Sequence, residues 1–254
     1  MTRLRPTAPP TSLPDLREQP ASNLVKPPTV LDGIRLTPAL ALIRQRVEYG
    51  VREGVPFVLV TGEHGCGKST AARLLAQKSR TLYWEARPEY TPREVMADLA
   101  DRLQIEVAEA WRQRTDVITD YMLDHPHTLI LDEAQRMGRK TLDQLKYVAD
   151  NGKITIVLLG SPWLKDRVAR WTDIQSRVGV RVEVQPLSQE DLLRLYQKDG
   201  YSQGALVAVH EMTRGVYRVI DRLLRHLDVA LNDANMDRGQ LTAVMVRTVA
   251  HEVL

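Results

Sequence analysis

Residues 62–70 read Gly62-Glu63-His64-Gly65-Cys66-Gly67-Lys68-Ser69-Thr70, the full spacing of a phosphate-binding P-loop. Its chemistry is anion capture. Glycines let successive backbone N–H groups turn inward around a phosphate, and a helix opening at the lysine adds its positive end. In that arrangement Lys68 reaches β- and γ-phosphates and the Ser69 hydroxyl binds Mg²⁺. His64 and Cys66 read as variable loop positions. A thiol at a helix N-terminus has a lowered pKa, so a redox-sensitive Cys66 is the alternative.

A second constellation follows 64 residues after the lysine. Thr128-Leu129-Ile130-Leu131-Asp132-Glu133 is an apolar run ending in two carboxylates, the pattern of a Walker B strand. Asp132 would complete the Mg²⁺ shell, and Glu133 would orient and deprotonate an attacking water. The plain alternative is a strand end solvated by two acids. Glu85, at the end of an earlier apolar run, is a rival water-positioning carboxylate. A glutamate directly after the Walker B aspartate points to hydrolysis rather than to a simple switch. No Asn-Lys-x-Asp guanine-reading motif occurs, which favours ATP over GTP.

Three further polar groups belong to this chemistry by position. Ser161 follows the fourth apolar run, where a side chain can report hydrolysis or merely close a turn. Arg177 precedes the fifth run, where an arginine can reach a neighbouring subunit's γ-phosphate; Arg167, Arg170 and Arg181 compete for that role. Arg218 opens a helix whose apolar stripe, Val219, Ile220, Leu223, Leu224 and Leu227, faces inward and frees the guanidinium to face nucleotide.

Elements that position these groups are legible in the punctuation. Thr37-Pro38 opens a helix carrying Leu40, Ile43 and Val47. Five apolar runs read as buried strands: 57–60, 81–84, 128–131, 154–159 and 178–184. Helical patterns between them, such as 93–103 and 141–149, imply a five-stranded parallel sheet covered on both faces. After Pro186 the strand signal stops. Ser188 caps a helix with Asp191 at its third position, and further helical stretches follow at 203–213, 216–231 and 239–252. The expected division is therefore a flexible arm at 1–28, an α/β core at 29–186 and an all-helical lid at 187–254. The arm reading rests on seven of the fourteen prolines falling in those first 28 residues, without apolar periodicity.

Composition narrows the classes. The 254 residues are 43% hydrophobic and 26% charged, enough for a sizeable core, while aromatics at 5% do not advertise a stacking surface for single strands. One cysteine excludes an internal disulfide and a Cys-rich zinc site. A net charge of +3 permits a polyanionic partner without requiring one. No apolar run is long enough to span a bilayer and no secretory leader is visible, so a cytoplasmic location is expected.

Together these residues resemble the AAA+ ATPases, and most nearly the DNA-transposition regulators of the MuB, TnsC and TniB type. The resemblance covers about residues 30–250 and rests on the P-loop, Asp132-Glu133-Ala134-Gln135, Leu159-Gly160, Ser176-Arg177-Val178-Gly179 and Gly215-x-x-Arg218. It implies an ATP- and Mg²⁺-dependent oligomer, a ring or helical filament on duplex DNA, that recruits a transposase and disassembles on hydrolysis. Secretion-type ATPases similar to ExeA share the Asp-Glu-Ala-Gln run, so a loader or motor for secretion, replication or repair is the alternative. A nucleotide-gated scaffold is a third. Two features depart from the group: serine at 161 where asparagine or threonine is common, and no space in residues 1–28 for the N-terminal DNA-binding domain of MuB-like proteins. The resemblance places DNA contacts between the second strand and Walker B, at Arg87, Thr91, Arg93, Arg112, Arg114 and Thr115. Interspersed acids make an ordinary solvated helix surface the competing reading there.

Overall fold

The computed structural model describes residues 30–31, 34–106 and 111–254, with side chains from 34–106 and 113–254. The arm expected at 1–28 and the side chain of Arg112 lie outside the described residues. Two units are present, divided after Leu36. In the first, β1 (Val30–Leu31) and β2 (Ile34–Arg35) pair antiparallel. The second runs from Thr37 to Leu254.

In that second unit the chain alternates strand and helix as its apolar pattern dictates. Helix α1 (Pro38–Arg52) starts where Thr37 Oγ1 accepts the Leu40 N–H at 3.2 Å, with proline in the first turn, where its missing N–H costs nothing. Then follow β3 (Phe57–Gly62), α2 (Lys68–Leu75), β4 (Thr81–Glu85), α3 (Pro92–Leu103) and α4 (Trp111–Asp124). Next come β5 (Thr128–Asp132), α5 (Arg139–Gly152), β6 (Thr155–Gly160), α6 (Pro162–Ala169), α7 (Thr172–Gln175) and β7 (Val178–Val184). The five strands β3 to β7 form one parallel sheet in the order β4-β5-β6-β3-β7. Residues 57–62 and 155–160 are buried throughout, as expected of central parallel strands with both faces covered. The edge strand β7 departs from full coverage: Gly179, Arg181 and Glu183 alternate outward, because only one of its faces meets the core.

This topology decides where chemistry can happen. Parallel strands place all their C-terminal ends on one edge of the sheet, where α/β folds bind ligands. The loop after β3, the carboxylates ending β5 and Ser161 after β6 therefore share that edge. Beneath them lies an apolar cluster that includes Phe57, Leu59, Trp84, Leu99, Ile118, Leu131, Leu145 and Leu158. Each such side chain contributes about 1.5–3 kcal/mol on burial, which holds the strand ends in register.

After β7 only helices follow: α8 (Gln189–Tyr196), α9 (Gln203–Thr213), α10 (Tyr217–Asp233) and α11 (Ala243–Val253). They enclose a separate apolar cluster around Leu192, Leu206, Val209, Ile220, Leu223 and Val246. Ser188 Oγ accepts the Asp191 N–H at 3.1 Å, the cap that sequence spacing predicts. Among the described residues, no helix is long and apolar enough to cross a membrane.

Candidate nucleotide site

The loop between β3 and α2 is built for close backbone approach. Gly65 and Gly67 have φ of 83° and 96°, a left-handed geometry that only glycine adopts without strain. A β-carbon at Gly67 would lie 2.8 Å from Leu40 Cδ1, and one at Gly65 would press on Val216 and Arg218. Lys68 is buried at 7% exposure, and its ammonium donates to the carbonyls of Gly62 (2.7 Å) and Glu63 (2.8 Å). Burial pushes its pKa below the ordinary lysine value, opposed by Cys66, Asp132, Glu133 and Glu63. A buried cation that, among the described residues, donates to loop carbonyls inside a glycine cradle suits a phosphate. Glu63 and His64 point to solvent, while Gly65, Ser69 and Thr70 are half-buried. Cys66 is 3% exposed, and burial raises its thiol pKa. That runs against the redox alternative, since desolvation outweighs the neighbouring Lys68 charge.

Across the sheet, Asp132 is 2% exposed. Its carboxylate accepts the Glu133 N–H at 2.9 Å and the Tyr83 hydroxyl at 3.2 Å. Ser69 and Asp132 offer hard oxygen donors of the kind Mg²⁺ takes, and the donor set fits. Glu133 itself has a left-handed φ of 52°, just past the end of β5. Its carboxylate accepts from Gln135 Nε2 at 2.5 Å. The rival Glu85 is instead engaged by Arg136 at 2.7 Å, and Arg136 also donates to the Ala86 carbonyl.

Ser161 sits at the end of β6, its N–H donating to Gln135 Oε1 at 3.2 Å. From the helical region, the Arg218 N–H donates to the Gly65 carbonyl at 3.1 Å, so α10 begins against the loop, with the guanidinium exposed. Arg177 lies at the other end of the sheet, where its Nε meets both Asp150 carboxylate oxygens at 3.1 Å. Its competitors differ. Arg167 donates to the carbonyls of Gln135 and Met137 and is sandwiched between Trp163 and Trp171, at 4.7 and 5.1 Å from their ring centroids. Arg181 Nη2 donates to the Gln175 carbonyl at 3.4 Å, and Arg170 is exposed.

The expected DNA contacts are dispersed. Arg87 is paired with Asp98 at 2.9 Å, Thr91 and Glu94 form the capping box that opens α3, and Arg93 is exposed on the same turn. Arg114 is half-buried on α4. Thr115 is 7% exposed, and its hydroxyl accepts from Gln144 on α5 at 3.4 Å. Of the six, Thr115 is the one, among the described side chains, that packs against a neighbouring helix and leaves little surface exposed.

Residues 51–168 match the family described as "AAA domain". The fold is that of an AAA+ P-loop ATPase. Among solved structures, the AAA+ fold here overlays Cdc6p from Pyrobaculum aerophilum with a TM-score of 0.65 at 16% identity, over 87% of this chain and 69% of that one. The Aeropyrum pernix ORC1 protein in complex with DNA gives 0.61 at 15% identity, over 86% and 66%. In sequence, the chain is 28% identical over 202 residues to "General secretion pathway protein A" of Aeromonas hydrophila, 69% of this chain but 37% of that protein. A "Potential ATP-binding protein" of Staphylococcus aureus is 21% identical over 148 residues, 50% of this chain and 55% of that one. The match thus spans little more than half, or less, of those relatives' lengths.

Sequence reading gave no role in this site to Tyr83 or Arg136, and took Gln135 only as part of the Asp132-Glu133-Ala134-Gln135 run. Tyr83 was findable, since it sits two residues before a strand end already assigned. Arg136 carries no motif.

Proposed function

We propose that this chain is an ATP-hydrolysing AAA+ subunit that self-associates on duplex DNA, as a ring or helical filament, and presents the assembled state to a transposase. The observation that carries the reading is the division of catalytic groups between opposite ends of the sheet. Lys68, Ser69, Asp132 and Glu133 share the C-terminal edge. Strand β7 runs parallel to β3, from Val178 beside Phe57 to Val184 beside Gly62. At roughly 3.3 Å per residue, Arg177 therefore stands about 20 Å from its own phosphate loop, beyond the reach of its side chain. An arginine so placed serves a neighbouring copy, and hydrolysis then depends on assembly.

Within one site the roles follow from chemistry. Lys68 turns its ammonium from the loop carbonyls onto phosphate oxygens. Ser69 and Asp132 hold Mg²⁺, which when bound neutralises charge on those oxygens. Glu133 orients a water and accepts its proton, and Arg218 approaches the loop from α10. Arg87, Thr91, Arg93, Arg112 and Arg114 are the candidates for phosphate contacts on DNA, which would be insensitive to sequence and weakened by salt. Support for the transposition reading is the Ser176-Arg177-Val178-Gly179 segment. A loader or motor for a secretion, replication or repair machine is the second reading, favoured by the likeness to the Aeromonas secretion protein.

Glu133→Gln tests the core of this. General-base catalysis contributes about 10²–10⁴-fold, so hydrolysis should fall at least 100-fold while ATP binding persists. Electron microscopy of that variant with ATP and duplex DNA should show trapped rings or filaments that require both. Assembly indifferent to DNA would favour the loader or motor, and unchanged turnover would remove Glu133 as the base.

A further inference from the structure

Gln135 joins two parts of the site that lie 26 residues apart in the chain. Its Nε2 donates to Glu133 Oε2 at 2.5 Å, and its Oε1 accepts the Ser161 N–H at 3.2 Å. The orientation of the amide is not arbitrary. Reversed, it would set oxygen against a carboxylate and N–H₂ against N–H, and both contacts would fail. The backbone of the same residue is held as well, because Arg167 donates to the Gln135 carbonyl and, at 3.1 Å, to that of Met137. The Arg167 guanidinium is in turn fixed between the rings of Trp163 and Trp171. Space for the amide comes from Gly160, where a β-carbon would collide with Gln135 Oε1.

An amide anchored at both backbone and far end is a rigid handle. It occupies one oxygen of Glu133 and leaves the other for water. Without it, the Glu133 side chain has three free torsions and a backbone in the left-handed region to select its direction. We propose that Gln135 is a positioning residue for hydrolysis, tying the Glu133 carboxylate to the end of β6 through the Ser161 N–H. This rests on the reading of Glu133 as the base that activates water. It also gives Ser161 a part played by its backbone, whatever its hydroxyl does, and it makes movement at the end of β6 a movement of the base.

The test compares four proteins under one condition: full chain in excess over ATP, with saturating Mg²⁺ and duplex DNA. They are wild type, Gln135→Ala, Glu133→Gln and the double variant, each measured for single-turnover hydrolysis and for ATP affinity. Misplacing a reacting group by about 1 Å costs on the order of 10²-fold. Gln135→Ala should therefore slow hydrolysis about 10- to 100-fold, with ATP affinity within about twofold of wild type. In the Glu133→Gln background the same change should add nothing, because the group it positions is gone. A merely structural role for Gln135 would weaken ATP binding or slow both backgrounds alike, and either result overturns the proposal. Wild-type rates in Gln135→Ala, with Glu133→Gln inactive, would overturn it alone. Equal rates in wild type and Glu133→Gln would overturn the base assignment and the positioning role together.

Discussion

Lys68, Asp132 and Glu133 stand at the strand ends where their local motifs place them, because a phosphate loop and a strand-end carboxylate need only near neighbours in sequence. What motifs leave open is the conformation those neighbours enforce. Gly67 shows the point. Its φ of 96° is left-handed, a region that costs an L-residue roughly 1–2 kcal/mol, and a methyl there would meet Leu40 of α1. Gly67→Ala should therefore weaken ATP binding about tenfold or more, since about 1.4 kcal/mol is a factor of ten. Far-ultraviolet circular dichroism should be unchanged, because the site is a loop and not a core strand. ATP affinity equal to wild type in a titration calorimeter would show that the loop tolerates the methyl. Gln135 marks the opposite case. It closes the Asp132-Glu133-Ala134-Gln135 run, but that run does not say what its amide touches, and only contact with Ser161 reveals its place.

Helices and strands fell close to their sequence boundaries wherever apolar period and caps agreed, as for α1, α3, α8 and α9. Helix α4 was not delimited in the sequence, since its stripe of Ile118 and Met122 is interrupted by exposed Val117 and Leu123. Short α7 has no apolar period to read. It is tied to α5 by charge: Asp173 lies 2.8 Å from Lys146 and 3.3 Å from Arg139. The Lys146 hydrogen bond holds the Asp173 carboxyl down at about 2. Its value in an unfolded chain is about 3.9, so the native state prefers the ionised form. The stabilisation is complete above about pH 4 and is lost as pH falls through 2. In Asp173→Asn the urea midpoint should depend less steeply on pH between about 4 and 2 than in wild type. The difference should shrink at high salt, because the pair is partly exposed to solvent. Parallel slopes at low salt would show that α7 is held by its apolar contacts alone.

For the whole molecule, the consequence of a parallel sheet is that Arg177 and the chain's own phosphate loop lie at opposite ends of it. Within the chain that arginine is paired with Asp150, 45% exposed. The proposed assembly predicts complementation. Arg177→Ala retains its phosphate loop and Lys68→Ala retains its arginine, so each alone should be inactive. Mixed, they should regain part of the wild-type rate, because the second supplies its arginine to the first. A mixture no faster than the sum of its components, under conditions where wild type assembles, would place the essential arginine elsewhere.

The order of apolar runs, their turn signals and two short motifs were sufficient to determine an α/β core, a helical region after Pro186 and the placement of the candidate phosphate-handling groups at the strand ends. These are local properties: a strand's burial is written in its own side chains, and a phosphate loop needs nine consecutive residues. Tertiary structure alone decided which strands adjoin, and with that the joining of Gln135 to Ser161, of Tyr83 to Asp132 and of Arg177 to Asp150. It also turned Thr115 inward against α5, although sequence placed it on a surface. Each of those contacts spans 26 to 49 residues, and no periodicity in one segment encodes which distant segment will pack against it.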